Sequence, residues 1–562
     1  MLVAIAIKVE VVAVSRLNRR LLAAATTIMV AILSFAIAPG AARAADTGAI
    51  TVDGTVATRY DAYQLFSATV VDDADTGQKI ATDVTWANDT VRQTVLSVLH
   101  DAGLDSTVLT AQAAAEWMNA DGHMTTALAT KLARAICKSG VSSVALNAGT
   151  AAELPCGYWL IVADNDAVAQ GEAGTAPIMA LVGGSAVTVK PKAATPKVAK
   201  QVLEDGTAAW QKAADATVAD DLYWRLSATV PAGLTAYDTY TVRFVDTMSA
   251  GLDPSKVAAS MRVYVAAGAD GGFDAVAIGK DGRAGTKAAK GWTDTTSQCS
   301  TKVASDGTFT VRTGDLIAAL GGADAFATGA RVVAVYNAPL GANCNRGTTR
   351  GNPNEVYLRY PRSPLADQSG DAGFTRTPSD DACAYTWGLS LIKRSSSDDK
   401  PLAGAKLCII DDRGRILTTD GSWSTDAAAC VTTGADGHVE LSGVDAGVYT
   451  VEEVAAPKGY TAFEGKRTVT VTAEGLDVKQ VAAAKPKVTV SAESPLRVET
   501  ADAGTGSIEL SVLNTPSKKA SRGFMPSTGD RALVLVAALA AIGAAAIVAA
   551  LVIKWGGGRR EK

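Results

Sequence analysis

Apolar residues are distributed along the chain in two distinct ways. Long apolar runs occupy 21–39 and 532–553, close to the two ends. Between them, apolar and polar residues alternate in short stretches separated by glycine, asparagine, aspartate and proline. Alternation with a period of two is typical of strands that bury one face, and such turn residues end each strand. The pattern therefore predicts a mainly β chain between two apolar ends.

The flanks of each terminal run indicate its role. Arg16, Arg19 and Arg20 precede the first run and Ala42-Arg43-Ala44 follows it, so we predict a signal peptide over 1–44. The second run of about 22 residues measures roughly 33 Å as a helix, enough to cross a hydrocarbon core of about 30 Å. Basic residues follow it and favour the inner side. The part between the two runs is therefore expected outside the membrane.

The first exported segment, 45–186, contains both strand and helix periods. Apolar residues recur every three or four positions in 88–99 and 124–136, as they do on one face of a helix. Stretches rich in β-branched and aromatic residues predict strands at 50–52, 60–71 and 154–160. We therefore predict a mixed α/β domain here.

Three strands of the next segment, 195–364, place a polar residue on an apolar face. Lys200 has the same parity as two valines of its strand, and Asp246 and Asn354 repeat this arrangement in theirs. Buried polar groups are costly unless they meet one another. We therefore expect the three side chains to converge, with Asn352, which shares the parity, as the alternative to Asn354.

The same arrangement recurs in 383–516, after a polar linker over 365–382. Lys393, Glu453 and Asn514 each alternate with apolar residues. Burial favours a neutral amine and a neutral acid, so the acid could polarise the carboxamide while the amine attacks it and ammonia leaves. The alternative is a pair of buried salt bridges, one in each segment, with asparagine as a bystander.

Composition narrows the class of function. The net charge is -4 with 20% charged residues, and no basic patch indicates nucleic-acid binding. The three histidines, His100, His123 and His438, lie far apart, so we predict no histidine metal site, catalytic triad or cofactor. A secreted surface enzyme is only a remote alternative, because no serine or cysteine stands with a histidine partner.

The seven cysteines include no CxxC pair, and an exported chain can oxidise them. Pairing cysteines that are near in sequence within one predicted domain gives Cys137 with Cys156, Cys299 with Cys344, and Cys408 with Cys430. Cys383 is then left without a partner in this prediction.

A short polar motif precedes the second apolar run. In order, the motif, the span 531–553 and the basic tail 554–562 resemble the LPxTG sorting signal of Gram-positive surface proteins. Sortase enzymes cut that signal between Thr and Gly. The departure is a methionine in place of leucine, which has similar volume and suits the same apolar pocket. The resemblance assigns the motif to Met525, Pro526, Ser527, Thr528 and Gly529.

Other stretches resemble SpaA-type backbone pilins, which sortases assemble. Residues 449–460, YTVEEVAAPKGY, are similar to the E-box YxLxETxAPxGY of the prealbumin-like (CnaB-type) domain. Residues 187–192, VTVKPK, are similar to the pilin motif WxxxVxVYPK. Stretches 245–252 and 351–354 resemble the fimbrial domain that forms an internal isopeptide bond.

The resemblance implies tandem Ig-like β-sandwich domains after the mixed α/β domain. It also implies roles for particular residues. These are the catalysts Asp246 and Glu453, the bonds Lys200 to Asn354 and Lys393 to Asn514, and the polymerising amine Lys192, with Lys190 and Lys197 as neighbouring candidates.

The implied segments are a signal peptide 1–44, an N-terminal pilin domain 45–186, a pilin-motif linker 187–194, a fimbrial domain 195–364, a linker 365–382, a prealbumin-like domain 383–516, a linker with the sorting motif 517–530, a transmembrane helix 531–553 and a cytoplasmic tail 554–562.

The implied function is that of a structural shaft subunit of a cell-wall-anchored pilus that supports adhesion. Such a chain is a sortase substrate and not an enzyme. Its partners would be a class C-type pilus sortase, a housekeeping sortase, other copies of itself, accessory pilins and peptidoglycan, with a host surface ligand as a further candidate. The alternative is a monomeric wall-anchored adhesin or an accessory tip or base pilin.

Overall fold

The computed structural model of the protein describes residues 46–120, 122–191, 195–268, 291–502 and 505–517. The predicted signal peptide, Lys192, the sorting motif Met525 to Gly529, the span 531–553 and the tail lie outside these ranges. Within them, no helix has the length and apolar character that crossing a membrane requires.

The N-terminal domain combines two small sheets with three helices. One sheet has the order β3-β2-β6-β7, with β4 paired to β2, and the other has the order β5-β1-β8. Each helix begins with a side-chain cap: Asn88, Thr110 and Thr125 accept from the backbone N–H three residues on. The elements are β1 Thr47–Val52, β2 Arg59–Asp72, β3 Lys79–Trp86, α1 Asp89–Asp101, α2 Ala111–Asn119, α3 Thr126–Lys138, β4 Val144–Asn147, β5 Ala151–Pro155, β6 Gly157–Ala163, β7 Ile178–Val182 and β8 Val187–Val189.

Strand β8 lies at the edge of the smaller sheet. It runs parallel to β1, with Val187 opposite Ile50 and Val189 opposite Val52. The N–H of Asp53 then donates to the carbonyl of Val189 at 2.8 Å. Residues 187–189, predicted as part of a linker, are therefore a strand of the N-terminal domain.

The middle domain is a sandwich of two sheets. The first has the order β10-β9-β12-β18-β14-β15 and the second β11-β21-β19-β13-β17-β16, with β20 on β19. Their facing side chains, such as Trp224, Val332, Phe244 and Leu358, form one core. The elements are β9 Lys197–Glu204, β10 Ala209–Gln211, β11 Ala213–Asp215, β12 Tyr223–Val230, β13 Arg243–Met248, α4 Val257–Ser260, β14 Arg262–Ala267, β15 Thr293–Asp294, β16 Ser300–Val303, β17 Thr308–Arg312, α5 Leu316–Ala319, α6 Ala323–Phe326, β18 Ala330–Asn337, β19 Asn352–Pro361, β20 Phe374–Arg376 and β21 Asp380–Tyr385.

The last domain is a second sandwich, in which the first and last strands are neighbours. Its first sheet has the order β27-β22-β33-β29, with β32 on β33, and β22 runs parallel to β33. The second sheet has the order β25-β24-β23-β28-β30-β31, with β26 on β23. The strands are β22 Trp387–Ser395, β23 Lys406–Ile410, β24 Ile416–Leu417, β25 Trp423–Ser424, β26 Val431–Thr432, β27 His438–Val444, β28 Gly447–Ala455, β29 Tyr460–Thr461, β30 Lys466–Glu474, β31 Lys487–Ala492, β32 Leu496–Asp502 and β33 Ser507–Pro516. The predicted mainly β fold with a mixed first domain is confirmed.

The middle and last domains meet without a spacer. Strand β21 ends at Tyr385 and β22 begins at Trp387, whose indole N–H donates to Asp215 at 2.6 Å. The Arg415 guanidinium makes two hydrogen bonds to Asp220 across the same joint, at 2.6 and 2.7 Å. The segment 365–382, predicted as a linker, contains β20 and the first part of β21, because both pair with β19.

One of the predicted cysteine pairs is a disulfide in the described residues: Cys408 is bonded to Cys430, between β23 and the turn before β26. The predicted Cys137–Cys156 and Cys299–Cys344 bonds are not formed. Their sulfur atoms take other neighbours, since Cys137 lies beside the Tyr63 hydroxyl and Cys299 donates to the Thr295 carbonyl at 3.3 Å.

Candidate functional site

The core of the middle domain contains a group of four polar side chains from four strands. Lys200 comes from β9 and Tyr336 from β18 of one sheet. Asp246 on β13 and Asn354 on β19 extend from the opposite sheet. All four side chains point into the core between the two sheets, and each residue is 0% exposed. The structure thus brings together the three residues that the sequence predicted to converge, with a tyrosine added.

The Tyr336 hydroxyl lies at the centre of this middle-domain cluster. Lys200 Nζ donates to it at 2.9 Å and Asn354 Nδ2 donates to it at 2.8 Å. The hydroxyl in turn donates to Asp246 Oδ2 at 3.0 Å, and Lys200 Nζ also bonds that oxygen directly. The four side chains therefore form one connected network.

Burial shifts the protonation of this network towards neutral groups. Loss of solvation lowers the pKa of Lys200 to about 8, although the nearby Asp246 carboxylate opposes the change. The same loss of solvation raises the pKa of Asp246 above its ordinary value. Lys200 therefore loses its proton far more readily than a surface lysine does. Only the neutral amine is a nucleophile.

Asn352 is buried on the same face of β19 but lies outside the cluster. Its carboxamide accepts from the Asn345 N–H at 2.8 Å and donates to the carbonyls of Asn345 and Ala384 at 3.3 and 3.2 Å. The Asn352 carboxamide is therefore hydrogen-bonded to backbone groups, whereas Asn354 and Lys200 both donate to the Tyr336 hydroxyl.

The last domain contains the corresponding cluster. Lys393 on β22 and Asn514 on β33 belong to the two parallel neighbouring strands, and Glu453 comes from β28 in the facing sheet. Lys393 Nζ donates to Asn514 Oδ1 at 2.5 Å and lies 3.0 Å from Glu453 Oε1. The Asn514 amide donates to the same Oε1 at 2.7 Å. The three predicted residues are thus in mutual contact.

Two further interactions hold the last-domain cluster. The backbone N–H of Phe463 donates to Glu453 Oε2 at 3.0 Å, which fixes the carboxyl group. The Phe463 ring lies with its centroid 5.6 Å from Lys393 Nζ. Burial lowers the pKa of Lys393 to about 8, with Glu453 opposing the change.

Each cluster has the parts that aminolysis of an amide requires. A buried lysine of lowered pKa supplies the amine, an asparagine supplies the acyl carbon, and a carboxyl group can move protons. Fixed neighbours replace a bimolecular encounter, so even a poor reaction can proceed once within a folded domain. Attack would join lysine to asparagine and release ammonia.

Tyr336 and Phe463 are the cluster residues that sequence reasoning missed. In β18, almost every residue from Ala330 to Asn337 is buried, so alternation gives no inward face to single out Tyr336. Phe463 acts through its backbone N–H, which no side-chain pattern reveals. Only their contacts in the folded domain identify these two residues as members of the clusters.

Among the proposed polymerisation lysines, Lys192 lies outside the described residues. Its neighbour Lys190 is described: the side chain is 76% exposed and its Nζ lies 3.8 Å from Asp53 Oδ2. Lys197 is exposed at the start of β9. The two described lysines are therefore open to solvent, in contrast to Lys200.

One part of the chain matches the model of a known protein family. Residues 388–486 match the family model of the SpaA prealbumin-like fold domain, so this part of the chain is similar to that domain. The match covers most of the last domain, including Lys393 and Glu453. Comparison with curated proteins gave no match.

Several solved structures resemble the chain at low identity. The T6 backbone pilin of serotype M6 Streptococcus pyogenes is 14% identical, with 84% of this chain and 98% of that chain covered and a TM-score of 0.44. The major pilin SpaD of Corynebacterium diphtheriae is 16% identical, with 84% and 98% covered and a TM-score of 0.40. The major pilin BcpA of Bacillus cereus is 11% identical, with 84% and 99% covered and a TM-score of 0.38.

Proposed function

We propose that the chain is the shaft subunit of a sortase-polymerised pilus anchored to a Gram-positive cell wall. Each sandwich domain is stabilised by a lysine–asparagine isopeptide bond, which the domain forms itself with Asp246 or Glu453 as catalyst. The chain is then a substrate of sortases and turns over no other substrate. Its partners are a class C-type pilus sortase, a housekeeping sortase, further copies of the chain, accessory pilins and peptidoglycan.

One observation carries this proposal: two successive domains each bury a lysine against an acid and an asparagine. Two isolated buried ion pairs would be weak sources of stability, because desolvation offsets most of the attraction. Covalent bonds at the same places would resist pulling, which suits a subunit that is joined to others in a line. The match of residues 388–486 to the SpaA prealbumin-like fold domain supports the proposal.

The ends of the folded part support polymerisation. Strand β8 brings the chain to the edge of the N-terminal domain, directly before Lys192, and Pro191 packs close to Gly54. The sorting motif follows the last domain after Ser517. An acceptor amine near the first domain and a donor threonine beyond the last one allow head-to-tail growth.

The internal bonds predict a defined mass. Residues 45–520, produced without sortase, are expected to weigh less than the sequence requires by two molecules of ammonia. The reason is that each lysine–asparagine bond expels one. Intact-mass spectrometry measures this after correction for the hydrogens lost at Cys408–Cys430. A mass equal to that of the uncross-linked sequence would exclude both bonds, and a loss of one ammonia would exclude one of them.

Anchoring depends on the bond between Thr528 and Gly529. Thr528→Ala removes the residue whose carbonyl sortase attacks, so the protein is expected in the membrane fraction or the medium rather than in the wall. Immunoblots of wall, membrane and medium fractions measure this. Ser527→Ala is the matched control, because the resemblance leaves that position variable, and it should remain in the wall. Wall attachment of the Thr528→Ala protein, released only by wall-digesting enzymes, would refute cleavage at this bond.

A further inference from the structure

The two clusters deliver the acid to the asparagine in different ways. In the last domain, Glu453 Oε1 contacts both nitrogens, at 3.0 Å from Lys393 Nζ and 2.7 Å from Asn514 Nδ2. One carboxyl oxygen can therefore take a proton from the attacking nitrogen and give one to the leaving nitrogen.

In the middle domain, the carboxyl group contacts the attacking nitrogen but has no hydrogen bond to the leaving nitrogen among the described residues. Asp246 Oδ2 bonds Lys200 Nζ, whereas Asp246 Oδ1 and Asn354 Oδ1 have no hydrogen-bond partner among the described residues. Aspartate is one methylene shorter than glutamate. The nitrogen that must leave, Asn354 Nδ2, donates instead to the Tyr336 hydroxyl at 2.8 Å.

The Tyr336 hydroxyl occupies the gap between acid and carboxamide. A hydroxyl offers one donor and two acceptor sites. Here the two acceptor sites face Lys200 Nζ and Asn354 Nδ2, and the donor faces Asp246 Oδ2. An aspartate with a tyrosine hydroxyl thus contacts the same two nitrogens that Glu453 contacts alone in the last domain.

We propose that Tyr336 is a catalytic residue of the middle domain that relays a proton from Asp246 to the departing nitrogen of Asn354. The proposal rests on the isopeptide bond proposed above and adds a step to its formation. It also assigns the two domains different proton routes for the same overall reaction.

The reaction starts from the free amine of Lys200 and the carboxylate of Asp246, whose Oδ2 accepts from both Lys200 Nζ and the Tyr336 hydroxyl. The Lys200 Nζ lone pair attacks Asn354 Cγ, and the excess proton on Nζ passes to Asp246 Oδ2. As Cγ becomes tetrahedral, Nδ2 gains a lone pair that a planar amide nitrogen does not offer. The Tyr336 proton moves to Nδ2, the Asp246 proton replaces it on the tyrosine oxygen, and the Cγ–Nδ2 bond breaks. One amide and one ammonia form, while Tyr336 and Asp246 return to their starting states.

Burial makes a protein relay necessary. The side chains of Lys200 and Asp246 are 0% exposed, and Tyr336 is 0% exposed, so bulk water has no access to carry the proton. The pKa of Tyr336 is raised well above its ordinary value by burial, which keeps the hydroxyl protonated. A group that holds its proton until a nitrogen lone pair appears suits the step described.

Tyr336→Phe tests the relay, because it keeps the ring that packs edge-on against Phe309 and removes the hydroxyl. The full chain is made by cell-free translation, stopped with acid at intervals and digested, and the two branched peptides are quantified by mass spectrometry. We expect the Lys200–Asn354 peptide to form roughly 100-fold more slowly, the usual effect of losing a general acid–base group. The Lys393–Asn514 peptide from the same molecules should keep its wild-type rate.

A matched control and a rescue separate chemistry from packing. Tyr240→Phe removes another buried hydroxyl from the same core, one without a hydrogen-bond partner among the described residues, and should leave both rates unchanged. Adding Asp246→Glu to Tyr336→Phe supplies the longer acid used in the last domain and should recover at least a tenfold part of the lost rate. Loss of packing alone would not be recovered by lengthening the acid.

The outcomes distinguish this step from the cross-link itself. A wild-type chain without the Lys200–Asn354 peptide would refute the bond and the relay together. A Tyr336→Phe chain that forms this peptide at the wild-type rate would overturn the relay alone. A slow Tyr336→Phe chain that Asp246→Glu does not accelerate would also overturn it, since the tyrosine would then act by packing.

Discussion

Glu453→Ala is expected to leave the last domain without its cross-link and to lower its melting temperature by roughly 15–25 °C. The carboxyl group is the only acid in contact with Lys393 and Asn514 in the described structure. Without it, no group moves the protons. The bond would close a loop of 121 residues, and a cross-link of that span restricts the unfolded state by about 5 kcal/mol in the chain-entropy model. For a domain of this size the loss converts to the temperature shift given.

Intact mass and calorimetry check this prediction together. The mass of the variant should be lower than that of its sequence by one ammonia instead of two. The remaining loss comes from the middle domain and serves as an internal control. Glu452→Ala is the matched substitution: the neighbouring side chain is partly exposed, lies 3.8 Å from Lys466 and is not in the cluster. It should retain both bonds and its melting temperature. Full cross-linking of the Glu453→Ala protein would show that the acid is not the catalyst.

Lys192→Ala is expected to collapse the pilus to anchored monomer. A shaft subunit needs one amine that reaches the acyl-enzyme carrying the next subunit, and a methyl side chain has no nucleophile. Boiled wall extracts of the wild type should show a ladder of covalent multimers on a denaturing gel, and extracts of the variant should show a single species. Both internal bonds should still form, because Lys200 and Lys393 are buried in other domains.

The neighbouring lysines provide the controls. Lys190→Ala removes an exposed lysine that lies beside Asp53, and Lys197→Ala removes the one at the start of β9. Each should keep the ladder. A ladder that survives Lys192→Ala but disappears in one of these variants would move the role to that lysine. If the wild type itself gives no ladder, the chain is a monomeric adhesin or an accessory subunit.

Strand parity explains how far the sequence could define the site. A period of two fixes which residues turn inward, so it placed Lys200, Asp246 and Glu453 in the cores correctly. It could not separate Asn352 from Asn354, because both have the same parity. They differ because Asn352 is the first residue of β19, where its carboxamide is hydrogen-bonded to backbone groups of residues 345 and 384.

Other features depended on distances between segments that are remote in sequence. Parity gave no signal for Tyr336, since β18 is buried on both faces. The cysteine pairs were assigned by separation along the chain, which succeeded for Cys408 with Cys430 but failed for Cys137 with Cys156 and for Cys299 with Cys344. Polar composition suggested a linker over 365–382, but this segment supplies β20 and the first part of β21, and both strands pair with β19.

The parallel pairing of β22 with β33 has a mechanical consequence. Lys393 and Asn514 both lie near the C-terminal ends of their strands, so the proposed bond connects the chain close to where it leaves the domain. A pull would run from Trp387 along β22, through the bond, and out at Pro516. Residues 394–513 would carry no force and could not be drawn out, although that length of chain extends to roughly 400 Å when straight. The domain would then behave as a link of fixed length rather than as a spring.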